Sequence, residues 1–294
     1  MRGATSGPTS RALDVLELLG RNPSSPMRYV DIVRELALNQ GTAHSILKTL
    51  VDRGWVSRNP DDKTFTLGPA AAAFGAKADQ ARPLLQAVRG AAQELALELG
   101  FPASVVELVN GELMITAVYP GSGEGPMPVR GTCVPYAPPY GAVFAMSAPE
   151  PEQAAWIARA LSLSPEVSAA LRQMLVAASK RGFDIDWTTP AVANLMTMAD
   201  SLQDLHPSLL AAMDQILLEL TAISFDSATY TGKDVAMQAR PVTSIIAPVT
   251  DGGASTRLAL ALHPMGAMAV DRIQHCGERL VAVAQRVSAL FNAG

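Results

Sequence analysis

Gln40-Gly41-Thr42-Ala43-His44-Ser45-Ile46-Leu47-Lys48-Thr49-Leu50-Val51-Asp52-Arg53-Gly54-Trp55-Val56 is the stretch on which the fold turns. Ala43, Ile46/Leu47 and Leu50 recur with helical spacing, Asn39 stands where a cap is needed, and Gly54 can end the helix, which predicts a helix over residues 40–53. Upstream, Val30, Val33 and Leu36/Ala37 form the inner stripe of a helix over 28–37. Asn22-Pro23-Ser24-Ser25-Pro26 separates it from a first helix over 11–19, capped by Ser10, with Leu13, Leu16 and Leu19/Gly20 inward. Downstream, two β-like runs at 55–58 and 64–67 flank the turn-rich Asn59-Pro60-Asp61-Asp62-Lys63. Three helices closed by a small hairpin make a winged helix over residues 1–68.

An Ala-rich segment follows, read as a linker helix over 69–80, and residues 81–294 form a second domain. Its pattern is a long helix at 82–99, then apolar runs at 104–109 and 113–118 around Asn110-Gly111, the strongest short hairpin signal a sequence offers. Gly- and Pro-rich stretches at 121–125 and 126–139 read as loop. Helices are expected near 140–146, 152–161 and 165–181, strands at 243–248 and 257–262 joined through Asp251-Gly252-Gly253, and a closing helix at 268–291. The class is α+β: a winged head, a linker helix and a mixed α/β body.

The net charge of −4 is unevenly spread, +3 up to Lys77 and −7 beyond it. A basic head on an acidic body fits one domain that meets phosphates and one that does not. No run of about 18 apolar residues predicts a membrane span, and no signal peptide pattern opens the chain. A cytoplasmic protein without membrane contact is expected. Cys133 and Cys276 are too far apart in sequence for a ligand motif, and the four His are scattered, so no metal, cofactor or catalytic constellation is expected.

On the helix at 40–53 the outward positions are Thr42, Ser45, Lys48 and Thr49, with His44 at the margin and Gln40 at the tip. In a major groove, Gln and His read base edges while Lys, Ser and Thr reach phosphates. Arg58 and Lys63, on the hairpin, would hold the backbone and set register. A solvated helix face would look the same by polarity alone.

Spacing separates these readings. Arg11-Ala12-Leu13-Asp14-Val15-Leu16-Glu17-Leu18-Leu19, the run Met27-Arg28-Tyr29-Val30-Asp31-Ile32-Val33-Arg34-Glu35-Leu36-Ala37-Leu38, and residues 41–56 together resemble the head of the IclR family of transcriptional regulators, without a gap in the third helix. The family usually has Ser-Thr-Val at the start of that helix and Arg where Ser45 stands, so Lys48, one turn on, is the substitute. The resemblance implies a GAF-like effector domain in the body. It runs through Arg82-Pro83-Leu84-Leu85; through 131–145, with Pro135-Tyr136 for the family's Pro-Leu and Tyr140, Gly141 and Ala142 at its small-residue turn; and through Arg181-Gly182-Phe183-Asp184-Ile185-Asp186. It implies effector-pocket positions for Tyr140, Gly141, Ala142 and Asp186, and for Ser244, where a Cys often stands.

The last strand departs from that pattern. Two alternating Ser residues before Gly-Pro are replaced by Leu260 and Leu262 before His263-Pro264. Alternate residues share a face, so the pocket should be drier and favour an aromatic or partly apolar metabolite over a small oxoacid. Core leucines beside a vestigial pocket are the other reading. The chain also has a surplus of about forty residues between Asp186 and Thr243, read as a helical insertion at about 188–230. One helical run follows Thr189-Pro190 to Leu202, and another covers 209–222 with Leu210, Met213, Ile216/Leu217 and Leu220 as its stripe. It could lid the pocket, extend an oligomer interface, or simply pack on the body.

The expectation is a one-component regulator that binds duplex DNA at a pseudo-palindromic operator as a homodimer or homotetramer and answers a small-molecule effector. A ligand-independent oligomeric repressor, and a small-molecule enzyme with an interaction head, are the rival readings.

Overall fold

Asn39 acts as its position predicts: its side-chain oxygen accepts the Thr42 N–H at 2.7 Å and starts the third helix. The structure, a computed structural model, describes residues 6–21, 25–123, 126–160, 164–187, 207–222, 239–250 and 256–291. It divides into two compact units, Met1–Pro83 and Leu84–Gly294.

The first unit runs α1 (Gly7–Arg21), β1 (Met27–Arg28), α2 (Tyr29–Glu35), α3 (Gln40–Asp52), β2 (Val56–Arg58), β3 (Thr64–Leu67) and α4 (Pro69–Gln80). Val15, Leu18 and Leu19 of α1, Ile32 of α2, and Leu47 and Leu50 of α3 close on Val56 and Phe65 of the wing. Ala43, Leu47 and Leu50 are buried as their spacing requires. The two earlier helices correct the sequence reading. α1 starts at Gly7, with Ser10 inside it donating its N–H to the Ser6 carbonyl, so Ser10 is not the cap. Leu13 is 52% exposed, because each three-residue step falls about 60° short of a full turn and the Leu13-Leu16-Leu19 series winds off the inner face. Val30 is likewise 64% exposed, and Ile32 takes the core position. The wing is a three-stranded sheet in the order β1-β3-β2; a two-residue strand has no periodicity to betray it. In α4 no residue is buried, though the Phe74 ring tilts against Trp55 at 5.4 Å between centroids.

In the second unit, α5 (Pro83–Leu99) leads into β4 (Ala103–Val109) and β5 (Glu112–Tyr119). Asn110 and Gly111 join the strands with φ of 53° and 85°, the positive pair a two-residue hairpin turn demands. Then come β6 (Cys133–Pro135), α6 (Ala142–Ala145), α7 (Glu150–Ile157), α8 (Pro165–Arg181) and β7 (Asp184–Asp186). α9 (Pro207–Ala222), β8 (Arg240–Val242), β9 (Ser244–Val249), β10 (Leu258–Leu262), β11 (Gly266–Met268) and α10 (Val270–Ala289) complete it. An antiparallel sheet in the order β6-β5-β4-β10-β9-β7 forms the centre, and β8 pairs with β11 apart from it. β6, inside what reads as loop, and the β8–β11 pair are too short to show a period of two.

The sheet divides the core. One face carries Ala103, Val105, Ile185, Ile245, Ala247, Leu260 and Leu262 against α5 and α10. The other carries Val106, Ala259 and Ala261 against α6, α7 and α8. α9, the described part of the insertion, packs on α8 and adds Met213 and Leu217 to that second cluster. The helical run read at 190–202 and the Asp251-Gly252-Gly253 junction lie outside the described residues. Among the described residues, no helix is long and apolar enough to cross a membrane.

Candidate DNA-contact surface and effector site

On the head, α3 leaves His44, Ser45, Lys48 and Thr49 exposed on one face, with Gln40 exposed at its start and Thr42 half-buried. Tyr29 of α2 donates its hydroxyl to the Gln40 carbonyl at 2.6 Å, tying the two helices at that start. The polar side chains of this face are not equivalent. Ser45 donates its hydroxyl to the Gly41 carbonyl and Thr49 to the Ser45 carbonyl, so both hydroxyl protons are used inside the helix. Lys48 Nζ lies 2.6 Å from Asp52 Oδ2, with 64% and 58% of the two side chains exposed. Such a solvated i,i+4 pair is worth about 0.3–0.5 kcal/mol and opens readily. At the wing, Arg58 lies over the Phe65 ring at 5.8 Å, and Lys63 is exposed at the tip with φ 59°. Asp62 accepts from both the N–H and the hydroxyl of Thr64, bonds that lower its carboxyl's pKa and fix the tip.

In the body, the expected effector residues separate into two groups. Tyr140, Gly141 and Ala142 enter α6 beneath the second sheet face. Gly141 has φ 84°, and a Cβ there would lie 2.7 Å from the Tyr136 ring. Trp156 Nε1 donates to the Tyr140 carbonyl at 3.0 Å, and Arg159 donates to the Tyr136 carbonyl at 3.1 Å, pinning the approach to α6. Asp186 pairs with Ser244 across β7 and β9. The two belong to the α6 side, because Ile185 and Ile245 between their neighbours point the other way. Burial, reinforced by the Asp186 carboxylate, pushes the Tyr140 hydroxyl up to about 12, so it stays a donor.

Leu260 and Leu262 do not join this group. They are 1% and 0% exposed on the α5–α10 face, and Ala259 and Ala261 stand at the α6 side instead. A one-residue register difference exchanges the faces of a strand, which the resemblance could not resolve. The face remains free of the family's two hydroxyls, but small residues, not bulky ones, line it.

Three residues of this face went unassigned in the sequence. Asp184, two residues before Asp186, shares its face, and alternation alone could have marked it; burial raises its carboxyl to about 6 against the opposing pull of Arg181. Ser104 and His263 are hydrogen-bonded at 2.7 Å, from positions 159 residues apart that no local pattern connects. Elsewhere, Met146, Ser147, Ser179, Gly182, Ala247, Pro248, Val281, Ala284 and Gln285 line a cavity of about 130 Å³, which contains none of the expected residues. Among the described residues, no group of three His, Cys, Asp or Glu could hold a metal ion.

A three-helix head closed by a wing, followed by an α/β body with one antiparallel sheet between helical layers, defines a winged-helix protein with a GAF-like second domain. The IclR helix-turn-helix domain model matches residues 8–60. The HTH-type transcriptional regulator XynR of Escherichia coli (strain K12) is 34% identical over 58 residues, 20% of this chain and 23% of that protein, so the match spans under a quarter of the curated relative. Three solved structures align along nearly the whole chain. An IclR transcriptional regulator from Alicyclobacillus acidocaldarius has a TM-score of 0.68 at 17% identity, over 99% of this chain and 100% of that one. An IclR homolog from Microbacterium hydrocarbonoxydans, complexed with 4-hydroxybenzoate, has 0.65 at 15%, over 98% and 100%. Pseudomonas aeruginosa HmgR has 0.62 at 17%, over 96% and 98%. At such identities the likeness is one of fold. The head carries an IclR helix-turn-helix domain, and the chain as a whole has the fold of IclR-type regulators of known structure.

Proposed function

We propose that the chain is a DNA-binding transcriptional regulator of the IclR type whose operator affinity is modulated by a small aromatic or partly apolar metabolite. The observation that carries this is the exposed polar face of α3 within an IclR helix-turn-helix domain. Gln40 and His44 read bases, Thr42 reaches phosphate, Lys48 releases Asp52 to do the same, and Arg58 and Lys63 hold phosphates. Ser45 and Thr49, their protons spent, can only accept. A single winged helix covers half a site, so the chain works as a homodimer or homotetramer on a pseudo-palindrome.

The effector binds between α6 and the sheet, against Tyr140, Gly141, Ala142, Asp186 and Ser244, with Ala259 and Ala261 taking the place first given to Leu260 and Leu262. The absence of strand hydroxyls at those two alanines, and the bound 4-hydroxybenzoate of the Microbacterium relative, both favour a ring-containing ligand. Fluorescence anisotropy with the DNA upstream of its own gene tests the first half. Specific binding that falls linearly in log affinity with log salt is the expected result, and equal affinity for scrambled DNA would overturn it. Calorimetry against aromatic acids, phenols, pyruvate and glyoxylate tests the second; tight binding of the oxoacids alone would reverse the reading.

A further inference from the structure

Buried polar residues on an otherwise apolar sheet face call for a reason, since each must be paired to offset its lost hydration. The α6 face of the body sheet has Ser104, Ser244 and His263, all buried, in a row that ends in the half-buried Asp186. Asp186 stands opposite Ser244. Leu262 stands opposite Ile245 on one side and Ala103 on the other, so the next residue, His263, extends alongside Ser244. The His263 N–H bonds the Pro102 carbonyl at 2.8 Å, holding it in line with the sheet. Leu262 and Ala103 point to the α5–α10 side, so His263 and Ser104 point to the α6 side, as their mutual bond requires. Cross-strand neighbours are about 5 Å apart, which makes Asp186, Ser244, His263 and Ser104 one continuous polar strip.

We propose that Ser104 and His263 belong to the effector site and select a ligand carrying a neutral hydroxyl. The proposal rests on the effector reading given above. Ser104 is fully buried and His263 is 7% exposed, and the bond between them, Ser104 Oγ to His263 Nε2, occupies one ring nitrogen. The other, Nδ1, is the group assigned to the ligand. An imidazole in this setting is neutral, donating or accepting at Nδ1 according to which way the Ser104 proton points. A hydroxyl, itself donor and acceptor, matches either tautomer. A carboxylate would meet the Asp186 charge in the same strip, whereas a hydroxyl can donate to it. Ala259 and Ala261, beside the strip, leave the neighbouring surface apolar, as the ring of a phenol requires.

The test uses four single-ring probes differing in one group: phenol, toluene, benzoate and benzylamine. Binding to the full chain is measured by calorimetry for the native protein, His263→Gln and Ser104→Ala. Glutamine places a polar atom where Nε2 stands and so keeps the Ser104 bond, but has nothing at Nδ1; near-ultraviolet circular dichroism confirms that the variant is folded. The native protein should prefer phenol to the other three, and H263Q should weaken phenol at least tenfold while leaving toluene and ligand-free operator affinity unchanged. Phenol binding that is equal in native and H263Q protein overturns the roles of Ser104 and His263 and leaves the effector reading intact. A preference for benzoate or benzylamine overturns the hydroxyl chemistry. Failure of every probe to bind the native protein overturns both the proposal and the effector reading, while the operator assay still reports on the head.

Discussion

His263 and Asp184 are buried on one sheet face with opposite electrostatic consequences. Burial lowers the imidazole to about 4, and burial raises the Asp184 carboxyl to about 6 despite Arg181. Below its ordinary value near 6.5 the unfolded histidine takes up a proton that the folded one refuses, so this group costs stability as pH falls toward 4. The aspartate does the reverse: between about 6 and 3.8 the folded form holds the proton more tightly, so acidification stabilises it. Each effect is on the order of 3 kcal/mol, and the two oppose each other over the same interval. Asp184→Asn should therefore expose the histidine loss, with stability in urea falling more steeply than in the native protein as pH drops from 6.5 to 4; a profile unchanged from the native one would refute the opposition. On the head, Lys48 and Asp52 make a similar contrast. Lys48→Ala should weaken operator binding and reduce the salt slope by about 0.9, whereas Asp52→Asn should strengthen binding by freeing Lys48 and removing a charge that faces phosphate. Anisotropy titrations at several salt concentrations read both.

Elements show where sequence pattern suffices and where it does not. α3 was legible to within a residue because cap, stripe and stop all agree on Asn39, on Ala43, Leu47 and Leu50, and on Gly54. The β4–β5 hairpin was legible from Asn110-Gly111, and the described insertion helix from its apolar stripe. α1 and α2 were found, but their inner faces were misread, since an apolar residue at every third position imitates a stripe while turning away from it. α6 and the strands that carry Asp186 and Ser244 were legible as elements, yet the faces of β10 were read one residue out of phase, because an all-apolar strand buried on both faces, Leu258 to Leu262, has no alternation to set its register. Leu260→Ala measures that correction. It should cost about 2–5 kcal/mol in urea unfolding while leaving effector affinity unchanged in the folded protein, and a selective loss of affinity would return Leu260 to the pocket. Gly277 gives a second packing test, on α10. A Cβ there would collide with the Phe183 ring, and Gly277→Ala should destabilise the body by about 1–3 kcal/mol.

At the scale of the whole molecule, the proposed DNA and effector sites belong to different compact units, so any control must be a free energy shared between sites. An effector shifts operator affinity only by as much as it prefers one arrangement of the assembled chains, and the preference is reciprocal. If the effector changes the operator dissociation constant by a factor, operator DNA must change the effector dissociation constant by the same factor. A coupling of 1–3 kcal/mol, the usual range, is about 5- to 150-fold and well within reach of measurement. Calorimetric titration of phenol into the chain, alone and saturated with operator, should therefore give a ratio equal to that from anisotropy with and without phenol. The spacing of the operator supplies the control: moving the half-sites apart by about 5 base pairs rotates one to the far side of the duplex, whereas about 10 restores its face. Coupling that survives the half-turn insertion undiminished would mean that the effector acts within one chain, on its own head, and not through the pairing of heads.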